Sequence, residues 1–202
     1  MKTILLLLTI TLGAFAQDCV HTNLSKDFDF KVYAKWYGSA EHTVSDSLDV
    51  KIEIISKKTK AGQQIHFGSA WMFEGTYTNC KYVRSYSTGF NKDSLYTDND
   101  YGDIVVADFN FDGLDDVAFK QNGGGNGGPS YYYYIQDKKG KFIQHDFLTA
   151  TMGYFPAEFV PLKKRLITRV HANAYQYSET TYQYDASAMK WKILKSELKD
   201  WD

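Results

Sequence analysis

The chain has 202 residues, 44% of them hydrophobic and 16% aromatic, with a formal net charge of −1. So balanced a charge excludes a nucleic-acid binder, which needs a basic face. Sixteen tyrosines and thirteen phenylalanines against three prolines favour pleated, half-buried surfaces, and no segment carries a helical period.

Residues 1–16 read as a signal peptide. Lys2 supplies the positive end, Ile4 to Leu12 the apolar run, and Ala14-Phe15-Ala16 the small-x-small cleavage site, so the mature chain is expected to begin at Gln17. The apolar run is too short to span a bilayer, and no later segment approaches the length required. Cys19 follows Gln17 and Asp18 and not the small residues of a lipid-anchor site. A soluble exported protein, periplasmic or secreted, is therefore expected. The remaining 186 residues suit a single β domain over 17–202, with a possible N-terminal subdomain over 17–86. Two cysteines, Cys19 and Cys80, follow the leader. In an oxidising compartment an even count favours a disulfide between them, with two buried free thiols as the alternative.

Phe28 to Tyr37 alternates, with Phe28, Phe30 and Val32 on one face and Asp29 and Lys31 on the other, the pattern of a half-buried strand. Leu48 to Ile55 repeats it through Val50, Ile52 and Ile54. The polar turn Lys57 to Gly62 and the return Gln64 to Phe67 complete a β-hairpin. Between Asp93 and Phe119 stand eight aspartates and no lysine or arginine, a local acidity that a bound cation explains better than solubility does. Ile104 to Ala107 and Val117 to Gln121 read as short strands flanking its densest part.

A glycine-rich segment, Asn122 to Pro129, comes next and is expected to be a mobile connection. It lacks the helix start and the Lys-Ser/Thr pair of a phosphate cradle. Tyr131 to Ile135 then reads as a strand, Asp137 to Gly140 as a turn, and Lys141 to Leu148 as the partner strand. A second hairpin near the C-terminus joins Tyr182 to Tyr184 with Trp191 to Leu194. The two share a Tyr-x-Tyr run and a Lys followed by an aromatic residue, a hint of blade-like repetition. The expected fold is therefore all-β, with antiparallel sheets in a β-propeller-like or sandwich-like arrangement.

Asp108-Phe109-Asn110-Phe111-Asp112-Gly113-Leu114-Asp115-Asp116 carries the clearest chemistry. Oxygen side chains occupy loop positions 1, 3, 5 and 9, and glycine position 6. Calcium wants six to eight hard oxygens, and this spacing wraps them around one ion. The expected metal ligands are Asp108, Asn110, Asp112, the Leu114 carbonyl and Asp116, with Gly113 permitting the sharp turn. Asp115 is expected to face solvent or support the shell. Position 12, a bidentate glutamate in an EF-hand, is Phe119, and strands flank the loop, so the site is strand-loop-strand.

This loop with the following Val117-Ala118-Phe119 resembles the calcium loops of FG-GAP-type, integrin-like β-propeller repeats. More widely, "ADFNFDGLDDVAFKQNGGGNGGPSYYYYIQD", the hairpin "VKIEIISKKTKAGQQIHF" and the hairpin "YQYDASAMKWKIL" resemble a group of bacterial periplasmic proteins. That group includes immunity proteins against peptidoglycan-cleaving effectors, related in shape to lysozyme inhibitors. The resemblance implies a calcium-bearing, propeller-like β domain that inhibits by inserting a loop into a hydrolase cleft. The absence of a lipid-anchor site departs from the lipidated members.

The expected function is thus a non-enzymatic binder whose partner is a lysozyme-like peptidoglycan hydrolase; the alternative is a module binding carbohydrate or a cell-surface glycan. Asn126, Ser130, Tyr131 and Tyr133 are the candidate partner-binding residues, tyrosines suiting both protein partners and sugar stacking. No nucleophile motif, metal-hydrolase signature or cofactor fingerprint recommends an enzyme. The five histidines (His21, His42, His66, His145, His171) lack metal-ligand spacing, and Glu74, Glu158 and Glu179 form a glycosidase pair only if the fold assembles one.

Overall fold

The computed structural model describes residues 19–37, 47–94 and 99–201; the leader, Gln17 and His42 lie outside them. The chain is all-β. Thirteen strands among the described residues form three open sheets, each taking its strands in chain order. The first holds β1 (Cys19–His21), β2 (Phe28–Tyr37), β3 (Ser47–Ser56) and β4 (Gly62–Ala70). The middle sheet holds β5 (Val83–Ser85), β6 (Ile104–Ala107), β7 (Asp116–Lys120), β8 (Tyr131–Gln136) and β9 (Phe142–Gln144). The third holds β10 (Glu158–Val160), β11 (Arg165–His171), β12 (Gln176–Asp185) and β13 (Lys190–Asp200). Every described pairing is antiparallel except β5 with β6.

The first sheet follows its alternation closely. Phe28, Phe30 and Val32 are buried, and Phe30 and Val32 pair with Ile54 and Ile52 of β3. The middle sheet behaves differently, because both its faces are covered. Ile104, Val106, Val117, Phe119 and Tyr134 join a core shared with the first sheet. Val105, Ala107, Ala118, Tyr131 and Tyr133 join a second core with Leu166, Tyr182 and Trp191 of the third sheet. Burial on two sides explains why β6 and β7 read as unbroken apolar runs and not as alternations. It also means that the first sheet has no core of its own. The Tyr86 N–H, one residue beyond β5, donates to the Val106 carbonyl at 2.8 Å.

Two expected elements differ in extent. The strand expected over Lys141 to Leu148 ends at Gln144, and residues Phe147–Met152 coil into a single π-helical turn that buries Leu148 and Met152. Conversely, the C-terminal hairpin is far longer than its aromatic ends, because β12 and β13 pair from Gln176↔Asp200 to Asp185↔Lys190. Cys19 and Cys80 are joined in a disulfide with a Cα–Cα distance of 5.4 Å. Among the described residues no helix is long and apolar enough to cross a membrane.

Candidate functional site

Two regions at opposite ends of β7 carry the sequence-derived candidates: the acidic loop between β6 and β7, and the glycine-rich loop between β7 and β8.

In the acidic loop the side chains fold back onto the loop's own backbone. Asp108 accepts from Asp112 N at 3.0 Å and Gly113 N at 2.8 Å, and Asn110 Oδ1 accepts from the same Asp112 N at 3.1 Å. Asp112 accepts from Leu114 N and from the Asn110 amide, both at 2.9 Å. Phe111 at φ +60 and Gly113 at φ +88 make the turns that permit this. Asp108, Asn110 and Asp112 are thereby drawn together on one side of the loop.

Asp116 is directed elsewhere. It is fully buried, and its two oxygens accept from Phe109 N (2.8 Å), Asn110 N (3.4 Å) and Gln136 N (2.9 Å). Consequently, among the described residues, no three His, Cys, Asp or Glu side chains converge on one metal position. Asp115 is not left to solvent: it accepts from the Ser25 hydroxyl at 2.5 Å. Phe111, on the opposite side, meets the Trp191 ring at 6.3 Å between centroids. The loop therefore touches the first, middle and third sheets together.

Its electrostatics are one-sided. Burial pushes the Asp116 carboxyl well above the usual range, against the bonds from Gln136 and Phe109, and Asp112 and Asp108 push it further. Burial raises Asp108 too, opposed by the N–H groups of Gly113 and Asp112. Among the described residues no lysine or arginine pairs with any of these carboxylates. Asp103 offers the contrast. It is equally inaccessible, and Lys120 Nζ stands 2.8 Å away, with Asp100 on the same ammonium at 2.9 Å. The fold thus supplies a cation to one buried aspartate and none to the other. In donor type and spacing along the loop, Asp108, Asn110 and Asp112 are of the kind a hard divalent ion takes. Such an ion would provide the missing positive charge and tie the loop's ends together.

The glycine-rich loop is no slack connection. Gly123 N donates to the Trp71 carbonyl at 2.8 Å, and a Cβ at Gly123 would fall on that oxygen. Gly124, at φ +70, is packed against the Gly128 carbonyl in the same way. Asn122 Nδ2 donates to Ser130 Oγ at 2.7 Å, which donates to Gln121 Oε1 at 3.0 Å. From the far side Asn99 Nδ2 donates to the carbonyls of Gly127 (3.3 Å) and Arg169 (2.7 Å). Within this loop only Gly125 and Asn126, at the tip, are exposed.

Of the four partner-binding candidates, Asn126 sits at this tip and Ser130 lies half-buried at the base. Tyr131 and Tyr133 are corrected: both are fully buried. The Tyr131 hydroxyl accepts from Tyr101 N at 3.1 Å, and that of Tyr133 donates to the Tyr154 carbonyl at 2.7 Å. Their alternation was legible, but a sheet covered on both faces has no outward side to offer them.

The aromatic residues that do face solvent here are Trp71, 66% exposed, and Phe73, 55% exposed, which no motif had singled out. Trp71 overlooks an open groove of about 790 Å³ lined by Gln121, Asn122, Ser130, Thr149, Tyr154 and the loop backbone. Elsewhere the fold does bring Glu158 and Glu179 together, but on either side of Arg169, at 3.0 and 2.8 Å. Hydrogen bonds from Lys199 and Arg169 hold Glu179 below its ordinary value, the state of a structural ion pair and not of a proton donor.

No protein-family model matches the chain, and no curated protein does. Fold and site together describe an all-β scaffold with an acidic strand-loop-strand turn at one end of β7 and a buttressed glycine loop at the other. A solved structure, that of a Xanthomonas type IV secretion system related protein, is similar to it. The two are 14% identical with a TM-score of 0.55, over 92% of this chain and 87% of that one. At that identity the likeness speaks for the fold alone.

Proposed function

We propose that this chain is an exported, calcium-stabilised, non-enzymatic binding protein that inhibits a lysozyme-like peptidoglycan hydrolase, in the manner of an immunity protein. The observation that carries this reading is the glycine loop: it is tied to Trp71 at the end of β4 and, through Asn99, to Arg169 of the third sheet, and presents only Gly125 and Asn126 at its tip. A braced, narrow projection enters a substrate cleft with little loss of conformational freedom, and preorganisation of that kind favours tight binding. It blocks catalytic carboxylates sterically, without chemistry of its own.

Three further observations support the reading. The disulfide suits an oxidising compartment. The neighbour of similar fold is related to a secretion system, which suits an envelope role. The acidic loop abuts all three layers, so an ion held by Asp108, Asn110, Asp112, the Leu114 carbonyl and, after reorientation, Asp116 would stiffen the stacked, sandwich-like scaffold from which the glycine loop projects.

The test is clearing of a peptidoglycan suspension by several lysozymes, with the protein added in calcium or in chelator. The wild type should slow at least one enzyme, more strongly in calcium, and Gly125→Arg should remove the effect. Inhibition of no hydrolase in either condition would end this reading.

A further inference from the structure

We infer that the groove beside Trp71 is a binding site for a neutral saccharide, an inference independent of the inhibitor reading. Three strands of observation meet here. First, the fold assembles the site from distant parts of the chain: the end of β4 carries Trp71, β7 runs into Gln121 and Asn122, and the π-turn brings Thr149 and Tyr154. A parallel bridge between Ala70 and Asn122 and an antiparallel one between Ser130 and Tyr154 hold the two walls in place.

Second, the chemistry of the lining is uniform. No charged side chain lines the groove, and its polar groups are amides and hydroxyls. A phosphate, carboxylate or metal ion would find no countercharge, whereas hydroxyl-bearing rings are recognised by just such neutral donors and acceptors. The network Asn122→Ser130→Gln121 fixes the Gln121 carbonyl oxygen as an acceptor. It leaves the Gln121 amide nitrogen, like the Tyr154 hydroxyl, without a partner among the described residues.

Third, Trp71 is held out at the lip by its backbone. It lies at φ +59, in the left-handed region, and its carbonyl is fastened by Gly123 N. A bulky residue in that conformation is strained and persists only where its surroundings impose it. The result is an aromatic face kept in solvent at the edge of a polar trough, the arrangement that stacks on the apolar face of a pyranose while amides take its hydroxyls. A peptide is less well served, since the groove has neither a charged end to hold a terminus nor a deep apolar pocket for a side chain.

The experiment titrates the mature protein, followed by tryptophan fluorescence and calorimetry, with chitotetraose, cellotetraose, purified peptidoglycan and a neutral tetrapeptide. Binding of at least one saccharide is expected, and the pattern across the arms tells an amino-sugar polymer from a plain glucan. Trp71→Ala and Gln121→Ala should each weaken it by roughly tenfold, while Trp71→Phe retains most of it. Melting curves of each variant establish that it is folded, and Gln121→Ala stands as the test should Trp71→Ala melt early. Asn126→Arg, which alters the loop tip at a residue outside the groove lining, should leave saccharide binding intact even if hydrolase inhibition fails. Absence of saccharide binding at millimolar concentration, undiminished binding by both alanine variants, or binding of the tetrapeptide alone would overturn the assignment.

Discussion

His21 ends β1 opposite Phe30 and is 5% exposed. Burial lowers its pKa from 6.5 to about 4, so the folded protein keeps the imidazole neutral where the unfolded chain would protonate it. Between these two values the unfolded state binds the extra proton. The contribution of His21 to stability is therefore whole above pH 6.5 and declines as the pH falls toward 4. Urea unfolding across that window should show a loss on the order of 3 kcal/mol at most, and His21→Gln should lack this part of the slope. An unchanged slope in the variant would show that the residue is not held as a buried neutral ring. The same contrast of burial and charge separates the aspartates. Asp103 has Lys120 beside it at 2.8 Å, while Asp116 has only backbone N–H groups. That difference is invisible in a list of acidic residues, because the lysine lies on another stretch of chain.

Among the elements, the glycine loop departs furthest from expectation. Its composition reads as slack, yet two of its glycines are there because neighbouring backbone leaves no room for a Cβ. Gly123→Ala should therefore lower stability by about 2 kcal/mol or more, whereas Gly125→Ala, with nothing near its missing Cβ, should stay within about 0.5 kcal/mol of wild type. Urea denaturation of the two variants side by side decides it; equal effects would mean that the loop is not braced as described. The tyrosine run shows the reverse error. Its two-residue period was plain, but period alone does not reveal how many faces of a sheet are covered. Tyr132 packs against the first core while Tyr131 and Tyr133 are buried in the second. The strand expected to continue to Leu148 stops early because Leu148 and Met152 reach the second core from a π-turn.

For the whole molecule, the acidic loop joins parts of three layers within a few residues: Asp115 on Ser25 of the β1–β2 connection, Asp116 on Gln136 N, Phe111 on Trp191. An ion bound there stabilises the folded state by mass action. At a dissociation constant near 10⁻⁴ M, millimolar calcium would contribute about 1.4 kcal/mol and should raise Tm by roughly 3–6 °C for a chain of this size. Asp112→Ala should abolish the shift without touching the core, since Asp112 is exposed. Calcium-independent melting of the wild type would remove the ion from the scaffold. What the amino-acid order determined unaided were features set by local geometry: the strand faces of β2 and β3, through side-chain alternation, and the turn from Asp108 to Asp116, through spacing along one loop. What only tertiary structure decided was coverage and juxtaposition. Sheet stacking buried both faces of the middle layer and brought Trp71, Gln121 and Tyr154 to one groove, because packing between layers depends on contacts across the whole chain and leaves no periodic trace in it.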